Sequence, residues 1–252
     1  MRRVVAILTD FGTKDGFVGA MKGVILSINP EVQLVDISHE VEPFNVLEGA
    51  LLLKAHFKYF PKGTIFLCVV DPGVGSERLP VVIEGGGYFF VGPMNGIFDL
   101  AIKDTRCKPK AHRIENFTLP RVNQTFHGRD VFAPAAGWLS RGVPLEEVGS
   151  PVEYSFSLNW VEPEDRGEEI WGRVLYFDRF GNCITNIPCG EYSVAYFRGQ
   201  ELPVISYFLK GERGKPALLC GSFGFMELVV PLGNAREVLK VSLGEVVGVK
   251  KL

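Results

Sequence analysis

The sequence lacks the features that would assign it to several specialised classes of protein. No apolar stretch reaches the roughly 18 residues of a membrane span. The N-terminal run MRRVVAIL resembles the start of a signal peptide, but it stops at Asp10 and no small-residue cleavage site follows. Acidic and basic side chains nearly balance, at 29 and 27, so no excess of positive charge is present for sequence-independent binding to nucleic acid. We therefore expect neither a membrane nor a nucleic-acid partner.

Cysteine is also scarce, and its spacing forms no CxxC pair. The five cysteines lie at positions 68, 107, 183, 189 and 220. An odd number of scattered cysteines is typical of reduced, buried thiols and favours a cytoplasmic location. The four histidines form no HxH or HxxxH pair, so the sequence contains no recognisable zinc motif and we expect no metal site.

The first part of the chain alternates between strand-like and helix-like segments. Apolar residues at positions 17, 18, 21, 24, 25 and 28 follow the spacing of one helix face. Strands and helices are predicted in alternation over RVVAILTD, FVGAMKGVILSI, VQLVDIS, NVLEGALLLKAHFKYF, TIFLCVV and NGIFDLAIKD. This order predicts an α/β domain with a largely parallel central sheet.

The pattern changes after WVEPEDRGEE, the most polar stretch of the chain. Beyond it, short apolar runs alternate with Gly, Pro and Asn, and no long helical pattern occurs. We expect an N-terminal α/β domain over residues 1–163 and a C-terminal antiparallel, all-β, barrel-like domain over residues 164–252. Two domains imply a cleft, and such clefts commonly hold ligands.

Acidic residues follow three of the predicted strands. Asp10, Asp36 and Asp71 each stand at a strand end, and in open α/β sheets ligands bind beyond the carboxyl ends of the strands. In TDFGTKDG, Asp10 is suited to contact ribose hydroxyls or a cation, or to cap the next helix. A phosphate-binding loop is not expected, because the GxxxxGK[ST] pattern is absent.

Other polar residues form smaller clusters. His127 lies among Gly, Arg and Asp in TFHGRDVFAP, whereas His39 in DISHEVEP is either a metal ligand or an ordinary loop residue. In DRFGNCITN, Asp178 and Asn182 flank Phe180. These three side chains form either an ordinary hairpin turn or a surface that stacks on a base and reads its edge.

Six motifs together resemble one known family. They are LTDFGTKDGFVG, VEPFNVLEGA, VVDPGVGSER, GPMNGIF, TFHGRDVFAP and DRFGNCITN. They are similar to motifs of the S-adenosylmethionine hydrolases that form adenosine, also described as hydroxide adenosyltransferases, which are relatives of the fluorinase and chlorinase. The resemblance covers nearly the whole chain and keeps the order of the motifs.

The resemblance implies an N-terminal α/β domain, a C-terminal β-barrel domain and a homotrimer with active sites at subunit interfaces. It further implies S-adenosyl-L-methionine (SAM) as substrate, adenosine and L-methionine as products, and no cofactor. Asp10 would bind the ribose hydroxyls, Asp15 the methionine amino group, and Phe44 the sugar and sulfonium region. Asn95 and Gly128, in GPMNGIF and TFHGRDVFAP, are also implied to contact the substrate.

In the C-terminal half, the resemblance implies the remaining substrate contacts. Asn182 would read the adenine edge, with Phe180 and Tyr207 beside the ring. Asp178 and Ser222 would contact the methionine end.

The resemblance also gives a role to the glycine-containing segment DPGVGSER. In the hydrolases an Asp, an Arg seven residues later and a distant His polarise water, and these correspond to Asp71, Arg78 and His127. By itself the segment reads equally well as a surface turn. A histidine can take a proton from water, an acid can orient it and a guanidinium can stabilise developing hydroxide; we expect His127 to be the proton acceptor.

Three alternatives to the hydrolase remain at this point. One is a halogenase of the same superfamily, although Asp71 would repel a halide. At Phe223, where the fluorinase has an arginine near the methionine carboxylate, the resemblance leaves open what contacts that carboxylate. The second is a non-catalytic protein that binds adenosine or SAM, and the third is a metal-dependent hydrolase that uses Asp10, His39 and Asp71.

Overall fold

The structure is a computed structural model that describes residues 3–252, so the first two residues of the MRRVVAIL segment lie outside the described part of the chain. The chain divides into two compact units, one ending at Asn159 and the other beginning at Trp160. Within residues 3–252, no helix combines the length and the apolar character needed to cross a bilayer.

The first unit is a seven-stranded sheet with helices, as the α/β prediction requires. Its strands are β1 (Val4–Thr9), β2 (Gln33–Ser38), β3 (Ile65–Val69), β4 (Pro80–Gly85), β5 (Tyr88–Pro93), β6 (Lys110–Arg113) and β7 (Pro151–Val152). Its helices are α1 (Phe17–Ile28), α2 (Val46–His56), α3 (Asp99–Thr105), α4 (Ala133–Ser140) and α5 (Leu145–Val148). The strand order is β2-β1-β3-β5-β4-β6-β7; β2-β1-β3-β5 is parallel, and β4, β6 and β7 join antiparallel.

Local sequence explains the helices that flank the parallel strands. In α1 the buried residues Val18, Met21 and Ile25 follow the predicted apolar face. At the start of α2, the Asn45 side chain accepts a hydrogen bond from the Glu48 N–H at 3.1 Å and donates one to the Glu48 carboxylate at 3.2 Å. This reciprocal pair caps the helix, as the spacing predicts.

The second unit is an eight-stranded, nearly closed antiparallel sheet, which confirms the predicted barrel-like fold. Its strands are β8 (Glu164–Asp165), β9 (Glu169–Phe177), β10 (Cys183–Pro188), β11 (Tyr192–Phe197), β12 (Gln200–Leu202), β13 (Ala217–Cys220), β14 (Phe225–Val229) and β15 (Val246–Lys251). They are accompanied by one α-helix, α6 (Ala235–Leu239), and a short 3₁₀ helix, Phe208–Lys210. The order is β12-β11-β15-β9-β10-β14-β13, with β8 paired to β9. An isolated bridge between Val204 and Leu218 links the segment after β12 to β13 and so nearly closes the sheet.

The prediction of reduced, buried cysteines is wrong for three of the five. Cys189 and Cys220 form a disulfide, with Cα atoms 5.1 Å apart, and Cys107 is exposed. Cys189 follows β10 and Cys220 ends β13, and both strands pair with β14, so the sheet brings the two residues within bridging distance. Cys68 and Cys183 are buried free thiols, and burial raises the pKa of Cys183 to about 12.

Candidate functional site

The candidate site of the first unit is a cavity beyond the carboxyl ends of β1 and β3, where ligands bind in open α/β sheets. Asp10 and Asp71 follow these neighbouring parallel strands and both line the cavity, together with Phe44. The remaining lining residues are Phe11, Phe17, Pro43, Val74, Asn123, Thr125, Phe126 and Arg129. Its volume of about 620 Å³ falls in the range of small-molecule sites.

Aromatic rings form the apolar wall of this cavity. The rings of Phe11, Phe17 and Phe126 lie 5.2 to 5.8 Å apart and meet at steep angles. Gly128 permits this arrangement, because a Cβ atom there would lie 3.3 Å from the rings of Phe11 and Phe126. In the structure, therefore, Gly128 packs closely against the aromatic wall, and a side chain there would press on the two rings.

Asp10 is half-buried and holds Phe44 at the cavity. Its Oδ2 accepts a hydrogen bond from the Phe44 N–H at 2.8 Å. Phe44 has a φ of 68°, a value unusual for a residue with a side chain, and its ring is 70% exposed. Burial raises the pKa of Asp10, the negative charge of Asp71 acts in the same direction, and the Phe44 N–H opposes them. The carboxylate therefore holds the strained backbone of Phe44 in place and keeps its exposed ring at the cavity.

Asp71, Arg78 and His127 form one hydrogen-bonded cluster. Arg78 Nε lies 3.0 Å from both carboxylate oxygens of Asp71, and a terminal nitrogen of Arg78 also donates to this carboxylate. The same terminal nitrogen lies 2.8 Å from Nδ1 of His127. The Asp71 and Arg78 side chains are only 5% and 9% exposed. The structure thus brings the three predicted residues together, with Asp71 reaching the cavity.

The contact with Arg78 determines the protonation of His127. A guanidinium has only N–H donors, so Nδ1 must be an acceptor, and the proton of a neutral imidazole then resides on Nε2. Burial lowers the pKa of His127, and the positive charge of Arg78 lowers it further. Nε2 is buried and, within residues 3–252, has no hydrogen-bond partner. This geometry weighs against His127 as the proton acceptor.

The segment DPGVGSER forms a tight turn that brings Arg78 back to Asp71. Backbone hydrogen bonds run from Val74 N to Asp71 O at 3.3 Å and from Ser76 N to Gly73 O at 3.0 Å. Gly75 has a φ of 78°, and a Cβ atom there would lie 2.7 Å from the carbonyl oxygen of Gln124. Only glycine therefore allows the turn to pack against the loop that leads to His127.

Two other predicted residues of the first unit, Asp15 and Asn95, are outside the set that lines the cavity. Asp15 is exposed in the loop between β1 and α1. The amide of Asn95 is engaged with backbone: Nδ2 donates to Val70 O at 2.8 Å, and Oδ1 accepts from Ile97 N at 3.3 Å. Asn95 thus ties a turn to the end of β3, next to Asp71.

The second unit has its own cavity, of about 470 Å³. Phe180 and Asn182 line it, and the other lining residues are Phe208, Val230, Leu232, Gly233 and Asn234. Phe180 is 73% exposed at the tip of its turn. A flat exposed ring beside a mostly apolar cavity is suited to stacking on a planar ligand.

Asp178 orients the turn that carries these residues. Its Oδ1 accepts from the backbone N–H groups of Phe180 and Asn182, at 2.9 and 2.8 Å. Its Oδ2 accepts from the Asn182 amide at 2.8 Å, which directs the amide oxygen away from Asp178. The structure gives Asp178 a turn-stabilising function that sequence alone did not distinguish from ligand contact.

Tyr207 and Ser222 are exposed in loops of the second unit. Ser222 lies in the turn between β13 and β14, directly after the Cys189–Cys220 disulfide. Phe223, the position that departs from the fluorinase pattern, stacks on Tyr176 with ring centroids 6.0 Å apart. Phe223 therefore brings no positive charge to the turn and stacks instead on a ring of strand β9.

The ligand set of the metal hypothesis is not assembled. His39 Nδ1 lies 2.9 Å from Thr9 Oγ1 and its Nε2 lies 3.0 Å from Asp36 Oδ1, so both ring nitrogens face groups other than Asp10 and Asp71. In the part of the chain that the structure describes, no group of three or more His, Cys, Asp or Glu side chains could hold a metal ion.

Sequence reasoning missed most of the aromatic wall and the loop over residues 123–126. Phe11, Phe126 and Thr125 lie inside the motifs LTDFGTKDGFVG and TFHGRDVFAP, so their place in the motifs was an available signal. Asn123 had none, because it precedes the motif and reaches the cavity through its loop, which packs against Gly75.

The fold and the site define a two-unit α/β and β-barrel protein with an Asp–Arg–His cluster at an acidic, aromatic cavity. The profile described as the SAM hydroxide adenosyltransferase N-terminal domain matches residues 5–149, and the profile for the C-terminal domain of the same family matches residues 172–248. The chain belongs to the SAM hydroxide adenosyltransferase family.

Individual relatives support the same assignment. The chain is 36% identical to the (R)-S-adenosyl-L-methionine hydrolase of Methanocaldococcus jannaschii, over 94% of this chain and 92% of the relative. It is 38% identical to the protein of the same name from Thermus thermophilus, over 96% and 97%. A crystal structure of an uncharacterized conserved protein from Thermotoga maritima superposes with a TM-score of 0.88 and 35% identity, covering 98% of this chain and 100% of that one. The fluorinase of Actinopolyspora mzabensis is a more distant relative, at 27% identity over 90% of each chain.

Proposed function

We propose that this protein is an enzyme that hydrolyses SAM to adenosine and L-methionine, by attack of water on C5′ of the ribose. The observation that carries the proposal is the Asp71–Arg78–His127 cluster, which reaches the acidic cavity through Asp71. The names of the relatives at 36% and 38% identity support it.

The charge of the cavity suits this substrate. Asp10 and Asp71 both line it, and a sulfonium cation is attracted to carboxylates in a partly desolvated site. The sulfonium makes C5′ electrophilic and turns methionine into a good leaving group. As the water oxygen bonds to C5′, the C5′–S bond breaks and its electron pair stays on the thioether sulfur. Alignment of the water with that bond is worth about 7 kcal/mol or more.

The cluster orients and polarises the water rather than removing its proton before attack. Nδ1 of His127 already accepts a hydrogen bond from Arg78, and its lowered pKa makes it a weak base. After the C–O bond has formed, the protonated 5′-hydroxyl is strongly acidic, so a weak acceptor such as the Asp71 carboxylate is sufficient to take the proton. Fixed dipoles and charges around the water then supply the main electrostatic stabilisation.

The substrate contacts implied by the resemblance complete this proposal. In it, Asp10 binds the ribose hydroxyls, and Phe180 and Asn182 bind the adenine. The cavity that lies beside these last two residues supports the adenine role. The other implied contacts are Asp15, Phe44, Asn95, Gly128, Asp178, Tyr207 and Ser222, with no metal or cofactor required.

In the quaternary and cellular parts of the proposal, the homotrimer rests on the resemblance, the domain bounds on composition and the location on the cysteine pattern. We include a homotrimer with active sites at subunit interfaces, domains over residues 1–163 and 164–252, and a cytoplasmic location. The cytoplasmic location was predicted because the cysteines were expected to be reduced, and the Cys189–Cys220 disulfide contradicts that expectation. Thiol alkylation in intact cells tests that location.

The halogenase is the second candidate function, and the fluorinase relative is the observation that keeps it open. Asp71 opposes it, because a carboxylate that is only 5% exposed and lines the cavity repels a halide. Arg78 offers little compensation, since its guanidinium is already bound to Asp71 and His127.

Hydrolysis in ¹⁸O-labelled water tests the proposal directly. Attack of water on C5′ places the label in the 5′-hydroxyl of adenosine and none in methionine, as mass spectrometry measures. Parallel reactions with saturating chloride or fluoride should yield no 5′-halogenated adenosine. A halogenated product formed as fast as adenosine contradicts the hydrolase, and binding of SAM without turnover identifies a non-catalytic binding protein.

A further inference from the structure

Two buried polar side chains, Thr9 and His39, contact each other next to the loop that carries Asp10. Thr9, the last residue of β1, is fully buried, and His39, which follows β2, is only 6% exposed. The Thr9 hydroxyl lies 2.9 Å from Nδ1 of His39. Because β1 and β2 are neighbouring parallel strands, their carboxyl ends bring these side chains together.

The surrounding charges determine the direction of this hydrogen bond. Asp36 Oδ1 lies 3.0 Å from Nε2 of His39, off the line of the ring N–H, and Lys22 donates to Asp36 Oδ2 at 2.6 Å. A carboxylate at this distance attracts a proton, and so favours the tautomer that carries the imidazole proton on Nε2. In the neutral ring Nδ1 is then an acceptor, and the Thr9 hydroxyl is the donor.

Thr9 and His39 together tether the loop that carries Asp10. Thr9 Oγ1 accepts a hydrogen bond from the Phe11 N–H at 3.3 Å. The carbonyl oxygen of His39 accepts one from the Gly12 N–H at 2.7 Å. Residue 39 therefore acts on both sides of the loop, through its side chain by way of Thr9 and through its backbone at Gly12.

We propose that His39 is a positioning residue for substrate binding, which acts through Thr9 to hold the Asp10 loop in its ribose-binding conformation. This inference rests on the proposed function, in which Asp10 contacts the ribose. The set Asp36, His39 and Thr9 also has the composition of an acid–base–hydroxyl relay. Thr9 is fully buried, however, so its hydroxyl does not meet a substrate and is not a nucleophile.

Two variants of His39 distinguish the contribution of Nδ1 from that of Nε2. In His39→Asn, the amide oxygen occupies the Nδ1 position and still accepts from Thr9. In His39→Gln, the longer amide takes the Nε2 position near Asp36 and leaves the Thr9 hydroxyl without its acceptor. Thr9→Val and Thr9→Ser form a second pair, in which valine removes the hydroxyl and serine keeps it.

We expect His39→Gln and Thr9→Val to weaken adenosine binding and raise KM for SAM about tenfold, as for loss of a buried hydrogen bond. His39→Asn and Thr9→Ser should stay within about threefold of wild type, and kcat should stay within about threefold in all four, because the Asp71 cluster is untouched. The matched control is His112→Gln on strand β6, since His112 is also buried and its Nδ1 bonds the Gly149 carbonyl at 2.8 Å, a bond that the longer amide loses. It should lower stability without changing KM.

Amide hydrogen exchange at Phe11 and Gly12 tests the tether without any ligand. Both amides should exchange at least about fivefold faster in His39→Gln than in wild type, and at the wild-type rate in His39→Asn and His112→Gln. Unchanged exchange in His39→Gln, or faster exchange with unchanged adenosine affinity, overturns the positioning role. Wild-type protein that neither binds adenosine nor consumes SAM contradicts the proposed function instead, and the exchange rates still decide whether the tether exists.

Discussion

Replacement of Arg78 by lysine separates the charge of the cluster from its geometry. In the structure Arg78 bonds both oxygens of Asp71 through Nε at 3.0 Å and reaches Nδ1 of His127 at 2.8 Å through a terminal nitrogen. A lysine keeps the positive charge but offers a single nitrogen at the end of a flexible chain. It can therefore hold Asp71 or His127, but it does not reproduce the planar contact with both.

The structure sets the expected magnitudes. Arg78→Lys loses one or two charge-assisted hydrogen bonds in a site where the pair is 9% and 5% exposed, which should lower the free energy of unfolding by about 2–4 kcal/mol. A water molecule held by a disordered cluster is poorly aligned and poorly polarised. We expect kcat to fall about 10²-fold, which corresponds to about 2.7 kcal/mol in the barrier. Adenosine affinity should not change, because Asp10 and Phe44 are untouched.

Three measurements check this prediction: single-turnover SAM hydrolysis followed by chromatography, urea unfolding, and calorimetry with adenosine. The control is Arg166→Lys, whose exposed pair with Glu164 has side chains 53% and 63% exposed, so stability should change by less than about 1 kcal/mol and the rate not at all. The reasoning is refuted if Arg78→Lys keeps kcat within about threefold of wild type and unfolds at the same urea concentration as the control.

Three further predictions follow from single side chains. Asp10→Ala should weaken adenosine binding by about 1.5–3 kcal/mol in calorimetry, with little change in the rate at saturating SAM; unchanged affinity would remove the ribose contact. Because burial and Arg78 lower the pKa of His127, the neutral ring persists below pH 6.5, so the hydrolysis rate should be level near pH 7 and fall only in more acidic buffer; a fall that begins above pH 6.5 contradicts this state. Burial, followed by the charge of Asp178, raises the pKa of Glu227 from 4.5 to about 7, so its stabilising contribution is complete below pH 4.5 and is lost as the pH rises through 7. Glu227→Gln should therefore match wild type in urea unfolding at pH 4.5 and exceed it by up to about 3 kcal/mol at pH 8, and equal stabilities at pH 8 would count against the raised pKa.

The sequence was sufficient for the features that depend on local pattern. The helix face of Val18, Met21 and Ile25 follows from apolar spacing, and the cap of α2 from the three-residue interval between Asn45 and Glu48. The resemblance of the motifs was sufficient for the family, because it spans nearly the whole chain in order.

The sequence also predicted part of the candidate site. Strand ends in a parallel sheet meet at one edge, so Asp10 and Asp71 could be expected to share a cavity, and they do. The hydrogen-bond partners of Asn95 and Asp178 could not be predicted, because spacing does not show whether a polar side chain bonds to backbone or to a ligand. Both bond neighbouring backbone in the structure.

Only the tertiary structure brought Cys189 to Cys220, whereas the resemblance of the motifs had already grouped Arg78 with His127 and the structure supplied their geometry. Arg78 and His127 are 49 positions apart, Cys189 and Cys220 are 31 apart, and no periodicity relates the members of either pair. Strand pairing and the packing of Gly75 on a neighbouring loop bring them together. The tautomer of His127 and the disulfide are consequences of those contacts, because a proton or a covalent bond depends on the atom opposite and not on neighbours in sequence.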